Sequence, residues 1–234
     1  MHSFWGYKEG TQVHLDPEEV VHATKVLRLE TGAEVLVFDG SGTVYTSRIE
    51  SVSKRHVSAS ILEELTEYGA VPGHLHIAVA PTKNVDRMHF FLEKAVEMGV
   101  HDVTPIWTFH SERKHWNAEK ALKIMKGACT QSHKGRLPLL HPAQPLEALL
   151  KRAQEEKRYI ATCLNSPKNS LVEAFAAAPR ASSLVLIGPE GDFSEAEYSQ
   201  AKAFGFQHVH LGPHRLRTET AGLYTVAAFA QRPL

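Results

Sequence analysis

The sequence predicts an α/β protein in two parts: a small β-rich domain over residues 1–68 and a larger domain over residues 72–234, in which helices cover a mostly parallel sheet. Short β-rich runs dominate the first part, whereas strands and helices alternate in the second. Such alternation is typical of a parallel sheet with helices on both faces. Between the two parts, residues 68–73 (YGAVPG) place glycine and proline where neither periodicity continues, which indicates a linker.

The composition favours a packed protein of a reducing compartment. Of the 234 residues, 43% are hydrophobic and 22% are charged, a balance that supports a core and argues against disorder. No apolar run approaches the roughly 20 residues that span a bilayer, and the first ten residues lack the pattern of a signal peptide. Two cysteines are too few for a disulfide framework. We therefore expect a cytoplasmic protein with no membrane partner.

Charge is divided unevenly although the formal net charge is zero. Residues 1–68 hold 6 Lys and Arg against 11 Asp and Glu, and residues 69–234 hold 20 against 15. Residues 113–136 carry seven basic side chains against one acid, Glu119. This run predicts either a solvated helix face or a patch that contacts phosphates.

The first part reads as strands around one short helix. Asp16-Pro17-Glu18-Glu19 is a helix start, with Asp as the cap, Pro in the first turn and acids at the positive end of the helix dipole. Strands are expected at 34–39, 44–49 and 57–62, and Gly40-Ser41-Gly42 predicts a hairpin between the first two. These elements could form a compact barrel.

The second part predicts five strands and five helices. One helix is marked by an apolar face from Met88 to Val96 and by Gly99 as its stop. The expected strands are 75–80, 103–107, 159–163, 184–187 and 208–211, and the expected helices are 84–98, 117–133, 145–155, 194–204 and 218–230. Because ligands of such sheets bind at the carboxyl ends of the strands, the site should lie in the loops after Cys163, Ile187 and Leu211.

The loop after Ile187 has the composition of a ligand-binding turn. A buried strand runs directly into Gly188-Pro189-Glu190-Gly191, where glycines allow backbone groups to approach a ligand. Ser194 with Glu197 forms a capping-box pattern that starts the next helix. An ordinary strand-to-helix turn is the alternative.

The loop after Leu211 combines a bend with a basic rim. Gly212-Pro213 ends a strand, and Arg215 and Arg217 precede a helix that begins at Thr218. A helix N-terminus beneath arginines suits an anionic or polar ligand. Alternatively, Arg217 pairs with Glu219. The helix that follows is apolar nearly all round, so it should be buried in the fold or at a subunit interface.

The chain lacks the sequence motifs of several protein classes. The chain has no G-x-G-x-x-G after an early strand and no G-x-x-x-x-G-K-[ST], which argues against a Rossmann cofactor site and a P-loop NTPase. His74-x-His76 and His208-x-His210 raise a metal-dependent hydrolase as an alternative. No third ligand has a suitable spacing, so we expect no metal. A non-catalytic RNA-binding protein that stacks bases on Trp107 or Trp116 is another alternative.

The two loops resemble a known family. Ile187–Gly191 (IGPEG) with Phe193-Ser194, and Leu216–Ala221 (LRTETA) after Leu211-Gly212, resemble the small-subunit 16S ribosomal RNA methyltransferases of the E series, which modify N3 of a uridine. Further matching runs occur from His22 to Leu137, so the resemblance covers nearly the whole chain. The chain departs from the family pattern at Asp192, where many relatives have glycine, and at His214-Arg215.

The resemblance implies a fold, a cofactor and partners. The fold would be an N-terminal PUA-like barrel joined to a SPOUT domain whose C-terminal part forms a deep trefoil knot. The cofactor would be S-adenosylmethionine, the substrate 16S ribosomal RNA in the small ribosomal subunit, and the assembly a homodimer. Another RNA, such as transfer RNA, is the alternative substrate.

Combining the resemblance with the loop chemistry gives three sets of candidate residues. Cofactor binding is expected from Thr162, Ile187, Gly188, Pro189, Gly191, Leu211, Gly212, Leu216, Arg217 and Thr218. Arg217 would stabilise negative charge on the uracil oxygens, and Glu219 or Glu190 would accept the N3 proton. RNA binding is expected from Lys25, Arg28, Arg113, Lys134 and Arg136.

Overall fold

The computed structural model describes residues 1–112, 115–163 and 168–233, and the chain groups into two compact units. The first unit comprises Met1–Ala70 together with Lys126–Leu137, and the second comprises Val71–Met125 together with Pro138–Leu234. A boundary drawn along the sequence does not anticipate that Lys126–Leu137 belongs with the N-terminal residues.

The first unit is a closed five-stranded barrel. Its strands are β1 (His2–Glu9), β2 (Gln12–Leu15), β3 (Glu34–Phe38), β4 (Val44–Val52) and β5 (Val57–Leu65). They follow the order β1-β2-β5-β4-β3, and a parallel pairing of β1 with β3 closes the barrel. The hairpin predicted at Gly40-Ser41-Gly42 is confirmed, because β3 and β4 pair in antiparallel register on either side of it.

One short helical segment interrupts the barrel strands. Helix α1 (Pro17–Val21) continues into a π-helical turn, His22–Val26. The predicted helix start is confirmed, with Asp16 at the N-cap position and Pro17 in the first turn, but the Asp16 side chain makes no capping hydrogen bond. The Asp16 carboxylate accepts a hydrogen bond from Lys126 Nζ at 3.4 Å instead.

The second unit is built on an all-parallel sheet, which confirms the predicted fold class. Its strands follow the order β11-β13-β10-β12-β6-β7-β8, and β9 pairs separately with β7. The long strands are β6 (Leu75–Val79), β7 (Asp102–Trp107), β10 (Lys157–Ala161), β12 (Ser183–Ile187) and β13 (Gln207–His210). Three two-residue strands, β8 (Leu139–Leu140), β9 (Gln144–Pro145) and β11 (Asn169–Ser170), are too short to show a period.

Helices cover the sheet between these strands. They are α2 (Val85–Glu97), α3 (Ala118–Gln131), α4 (Leu146–Leu150), α5 (Leu171–Ala177), α6 (Glu195–Ala203) and α7 (Thr218–Ala230). Helix α4 is shorter than the predicted 145–155, because Leu146, Leu149 and Leu150 already bury its apolar face. Helix α5 was not expected, since its buried pair Leu171 and Phe175 covers a single turn.

Most of helix α7 is buried within the second unit, where it packs against α2, α5, β6 and β12. Gly222 lies so close to α2 that a Cβ there would stand 2.5 Å from the Phe91 ring. Packing inside this unit accounts for the buried faces of α7, whereas Thr220, Tyr224 and Ala230 are exposed. No helix among the described residues has the length and hydropathy to cross a membrane.

Candidate functional site

A cavity of about 650 Å³ opens where three neighbouring strands of the second unit end. Ala161 ends β10, Ile187 ends β12 and His210 ends β13, and all three line it. These strands are adjacent in the order β13-β10-β12, so their carboxyl-terminal loops meet. The sequence prediction that the site lies in the loops after β10, β12 and β13 is consistent with this cavity.

The first wall is the loop between β12 and α6. Gly188, Pro189, Glu190 and Asp192 line the cavity. The helix that follows is fixed by the predicted capping box: Ser194 Oγ accepts from the Glu197 backbone N–H, and the Glu197 side chain accepts from the Ser194 N–H. Because the capping box fixes the first turn of α6, it also fixes the position at which the loop ends.

Asp192 ties this loop to the end of β10. It adopts a left-handed conformation with φ of +62°, which glycine adopts freely and Asp tolerates better than most residues. Its Oδ2 accepts hydrogen bonds from Thr162 Oγ1 at 3.0 Å and from the Cys163 N–H at 2.7 Å. The departure from the family's glycine thus keeps the backbone shape and adds a carboxylate clamp.

The second wall is the loop between β13 and α7. Gly212 has φ of +102°, and a Cβ there would meet no atom within 4 Å. Thr218, the first residue of α7, is 5% exposed and donates its hydroxyl to the Gly188 carbonyl at 3.0 Å. This hydrogen bond joins the second loop to the first. The unpaired N–H groups of the first turn of α7 begin here.

The two arginines of the second loop differ in their contacts. Arg215 Nη2 donates to the Glu190 carbonyl at 3.2 Å, so it is a further link between the loops. Arg217 is exposed, lines the cavity and makes no ion pair with any described residue. The alternative that Arg217 pairs with Glu219 is wrong, because Glu219 lies 3.9 Å from Arg87 Nε.

Most residues expected to bind a cofactor come together in this cavity. Those that line it are Thr162, Ile187, Gly188, Pro189, Leu211, Gly212, Leu216, Arg217 and Thr218. Gly191 is the exception: its α-carbon faces His110, whose Cβ would be 2.9 Å from an added Cβ. Glycine is therefore needed there for a close approach to His110, next to the cavity wall.

The two candidate proton acceptors are placed differently. Glu190 lines the cavity and is exposed. Glu219 is 8% exposed, is paired with Arg87 and is not among the described residues of the lining. Of the two carboxylates, Glu190 has the more direct access to a molecule in the cavity.

Four of the five expected RNA-binding residues lie in the barrel unit. Lys25, Arg28 and Arg136 are exposed, Lys134 is half-buried, and Arg113 lies outside the described residues. Segment Lys126–Leu137 adds three basic residues and no acid, so the unit holds nine Lys and Arg against eleven Asp and Glu. The acidity read from residues 1–68 alone is therefore partly offset.

Sequence reasoning missed several residues of the cavity. Lys168 lines it and donates Nζ to the Thr162 carbonyl at 2.7 Å. Asp192, Val209 and His210 also line it. The positive φ of Asp192 could have been suspected, because a residue that replaces a family glycine commonly keeps the glycine conformation.

The histidine pairs behind the metal-hydrolase alternative do not share a site. His208 contacts the Tyr198 hydroxyl, and His210 Nδ1 accepts the Gly212 N–H. His76 lies near the amino end of β6. A hydrolytic metal centre that uses both pairs is therefore not formed.

Comparisons with known proteins agree with this geometry. Residues 69–230 match the model of an RNA methyltransferase domain, and residues 15–62 match that of an RNA methyltransferase PUA domain. The chain is 29% identical to the ribosomal RNA small subunit methyltransferase E of Bacillus subtilis, over 95% of this chain and 91% of that one.

Solved structures are similar along nearly the whole chain. The ribosomal RNA small subunit methyltransferase E of Neisseria gonorrhoeae, bound to S-adenosyl methionine, is 29% identical with a TM-score of 0.85, over 97% of this chain and 96% of that one. A Legionella pneumophila protein in complex with the same cofactor is 30% identical with a TM-score of 0.83, over 97% and 96%.

A PUA-like barrel and an all-parallel α/β unit, with a loop-walled cavity at the carboxyl edge of the sheet, define a two-domain RNA methyltransferase. Within that class, the chain belongs to the family of ribosomal RNA small subunit methyltransferase E.

Proposed function

We propose that this chain transfers a methyl group from S-adenosylmethionine to N3 of a uridine in 16S ribosomal RNA. The main support is one observation: the loops after β12 and β13 enclose a single cavity and are joined by the hydrogen bond from Thr218 to the Gly188 carbonyl. A relative of the same fold is bound to S-adenosyl methionine.

The described lining suits that cofactor. Ile187, Leu211 and Leu216 offer apolar surface for the adenine ring. The backbone of Gly188 and Gly212 leaves room for polar atoms of the ligand, and the first turn of α7 presents N–H groups toward an anionic carboxylate. The remaining lining residues proposed to contact the cofactor are Thr162, Pro189 and Thr218.

When bound, the cofactor supplies a methyl group on a positively charged sulfur. The protein's task is then alignment of the uridine and removal of its proton. N3 of uridine is a weak nucleophile because it carries a proton and its lone pair is shared with two carbonyls. Loss of the N3 proton to a base leaves negative charge shared with the two uracil oxygens, and this charge is removed as the N3–C bond forms and the S–C bond breaks.

Arg217 and Glu190 are placed to meet these two needs. Arg217 has no ionic partner among the described residues, so its guanidinium is free to face the uracil oxygens. Glu190 lines the same cavity and would accept the proton. Glu219 remains the second candidate base, but it is buried, lies 3.9 Å from Arg87 Nε and is not among the described residues of the lining.

Substrate and assembly extend this proposal. Lys25, Arg28, Lys134 and Arg136, with Arg113, would contact the RNA backbone, because basic side chains on an exposed surface neutralise phosphates. A homodimer and a deep trefoil knot remain predictions from the resemblance, and a cytoplasmic location remains a prediction from the composition. Light scattering of the purified protein measures the first directly.

Reverse transcription across 16S ribosomal RNA tests the function. Methylation of N3 blocks base pairing, so a strain with the gene should give a stop at one uridine. A deletion strain should lose that stop, and the wild-type gene should restore it. If deletion leaves every 16S stop in place, the proposed substrate is wrong, and a lost stop in transfer RNA would reassign it.

A further inference from the structure

A second group of functional side chains lies at the opposite edge of the sheet from the cavity. His76 is the second residue of β6, and its register partner Asp102 is the first residue of β7. His141 follows β8 and hydrogen-bonds through its backbone N–H to Val103. In a parallel sheet the amino ends of strands share one edge, so these three side chains converge there.

The three side chains present ligand atoms at close range. His141 Nε2 lies 2.9 Å from Asp102 Oδ2, and one ligand atom from each of His76, Asp102 and His141 lies within 4.8 Å of the others. Tetrahedral zinc holds such atoms roughly 3.3 Å apart. The widest separation would therefore have to close by about 1.5 Å at most, within reach of side-chain rotation.

Neighbouring side chains orient the group as they do in metal sites. Glu155 Oε1 lies 2.5 Å from His76 Nδ1. An ionised carboxylate can only accept, so Nδ1 carries the proton and Nε2 presents its lone pair. A carboxylate behind a ligating histidine is the usual arrangement around zinc. The Nε2 lone pair accepts a hydrogen bond from the buried Thr104 hydroxyl at 2.7 Å, so a metal ion at Nε2 requires the Thr104 side chain to change rotamer.

Asp102 Oδ2 faces two imidazoles, those of His141 and His74. His74 Nε2 lies 3.6 Å from Asp102 Oδ2 and is 43% exposed. It offers a fourth ligand, and its exposure leaves a path from solvent.

We propose that His76, Asp102 and His141 form a binding site for a divalent transition-metal ion, with Zn²⁺ as the best match. Two imidazoles and one carboxylate suit zinc, whereas magnesium and calcium prefer oxygen ligands alone. The site lies at the amino edge of β6 and β7, so the ion would link these strands to the segment after β8. Its role is structural and separate from methyl transfer.

Spacing could not reveal this site from the sequence. In the sequence, His76 stands out only as part of the pattern His74-x-His76, and no third ligand lies at a suitable spacing from that pair. Asp102 and His141 are 26 and 65 positions away and become neighbours only through the pairing of β6, β7 and β8.

Zinc uptake by the full-length protein tests the proposal. The chain is stripped with a chelator, dialysed against Zn²⁺ and analysed for metal content, and Co²⁺ is titrated in parallel to record the visible spectrum of a four-coordinate site. The test variants are Asp102→Asn, which keeps an acceptor oxygen, and His141→Gln, which keeps a donor toward Asp102. His56→Ala is the matched control, because His56 contacts His14 without completing a ligand trio.

We expect one zinc per chain in the wild type and in H56A, and at least about tenfold weaker binding in D102N and H141Q. Zinc should raise the melting temperature of the proteins that bind it, the wild type and H56A, and should raise that of D102N and H141Q less. Circular dichroism checks that each variant is folded. The cobalt spectrum of the wild type tests the site even if a variant does not fold. Uptake well below one equivalent by the wild type, a cobalt spectrum typical of six-coordinate ions, or equal uptake by all variants would each overturn the proposal.

Discussion

At the scale of a single residue, Asp192 helps to fix the shape of the loop between β12 and α6. The sequence marked it only as a departure from the glycine of many relatives. Its left-handed φ is one that glycine adopts freely, and its hydrogen bonds to Thr162 and Cys163 show what a carboxylate adds. These hydrogen bonds cannot be read from the sequence, because they depend on β10 and β12 lying side by side.

Replacing Asp192 with glycine should weaken cofactor binding while leaving the fold intact. Glycine keeps the positive φ, but three hydrogen bonds to a charged acceptor, from Thr162, Cys163 and Phe193, are lost. Each is worth about 1.5–3 kcal/mol at most, and part of that appears as loop disorder. We expect the dissociation constant for S-adenosylmethionine to rise about tenfold. Calorimetry measures it.

Asp39→Gly provides the control for that experiment. Asp39 also accepts from a backbone N–H and a hydroxyl, those of Ser41 and Tyr45, but it belongs to the barrel unit and does not line the cavity. Equal weakening by D39G and D192G would mean that general stability, and not the loop clamp, governs affinity.

Arg217→Ala should separate chemistry from binding. If the guanidinium stabilises charge that develops on the uracil ring, kcat should fall by about 100-fold or more, while the affinity for S-adenosylmethionine changes little. Single-turnover methyl transfer and calorimetry give the two values. Arg215→Ala is the control, because Arg215 lies in the same loop but donates to the Glu190 carbonyl. A parallel fall in both quantities for R217A would make Arg217 a cofactor-binding residue instead.

At the scale of elements, periodicity located the long strands and helices well and the short ones poorly. Helix α7 begins and ends at the predicted residues, Thr218 and Ala230, because its apolar run is long and its start is marked by hydroxyls. The two-residue strands and α5 carry too few residues for any period. Their positions depend on pairing with strands that are distant in sequence.

Gly222 of α7 packs closely against Phe91 of α2. Gly222→Ala should therefore destabilise the second unit. A Cβ would lie 2.5 Å from the ring of Phe91, which is fully buried. Overpacking of this kind costs about 1–3 kcal/mol, more than the gain of about 1 kcal/mol from replacing glycine in a helix. Thermal unfolding should show a melting temperature lower by a few degrees.

Gly127→Ala is the matched change, since Gly127 lies in α3 with no atom within 4 Å of an added Cβ. It should stabilise slightly, by about 0.5–1 kcal/mol. The double variant Gly222→Ala with Phe91→Leu should regain part of the loss. A G222A protein as stable as wild type would show that α7 does not pack against α2 as described.

At the scale of the whole molecule, the charge of each unit depends on which segments the fold brings together, and not only on their order in the sequence. The acidic N-terminal residues gain three basic residues from Lys126–Leu137. The two-part organisation, the parallel sheet and the cavity could be predicted from alternating patterns and two loop motifs. The membership of Lys126–Leu137 and the cluster around His76 could not, because both arise from contacts between distant segments.

Lys25 and Arg28, both exposed on the barrel unit, should contribute to RNA affinity through phosphate contacts. The variant Lys25→Gln with Arg28→Gln should weaken binding to 16S RNA fragments and lower the slope of log affinity against log salt by roughly 1.4, the value for two contacts to single-stranded RNA. Filter binding over a salt series measures both.

Lys54→Gln with Arg55→Gln removes the same charge from the same unit, again at exposed positions, and should leave the slope nearly unchanged. If both double variants lower the slope equally, the barrel acts through its total charge, and Lys25 and Arg28 do not form a specific RNA contact.

Titration of the protein with S-adenosylmethionine in a calorimeter tests the central claim, that the loops after β12 and β13 hold the methyl donor. The wild type should bind one molecule per chain, and Gly212→Val, which puts a branched side chain into the lining, should abolish the heat. Gly32→Val is the control, because Gly32 has a similar φ of +93° and equally open surroundings in the barrel unit, and it should bind normally. No heat with the wild type, or equal binding by G212V and wild type, would contradict the account.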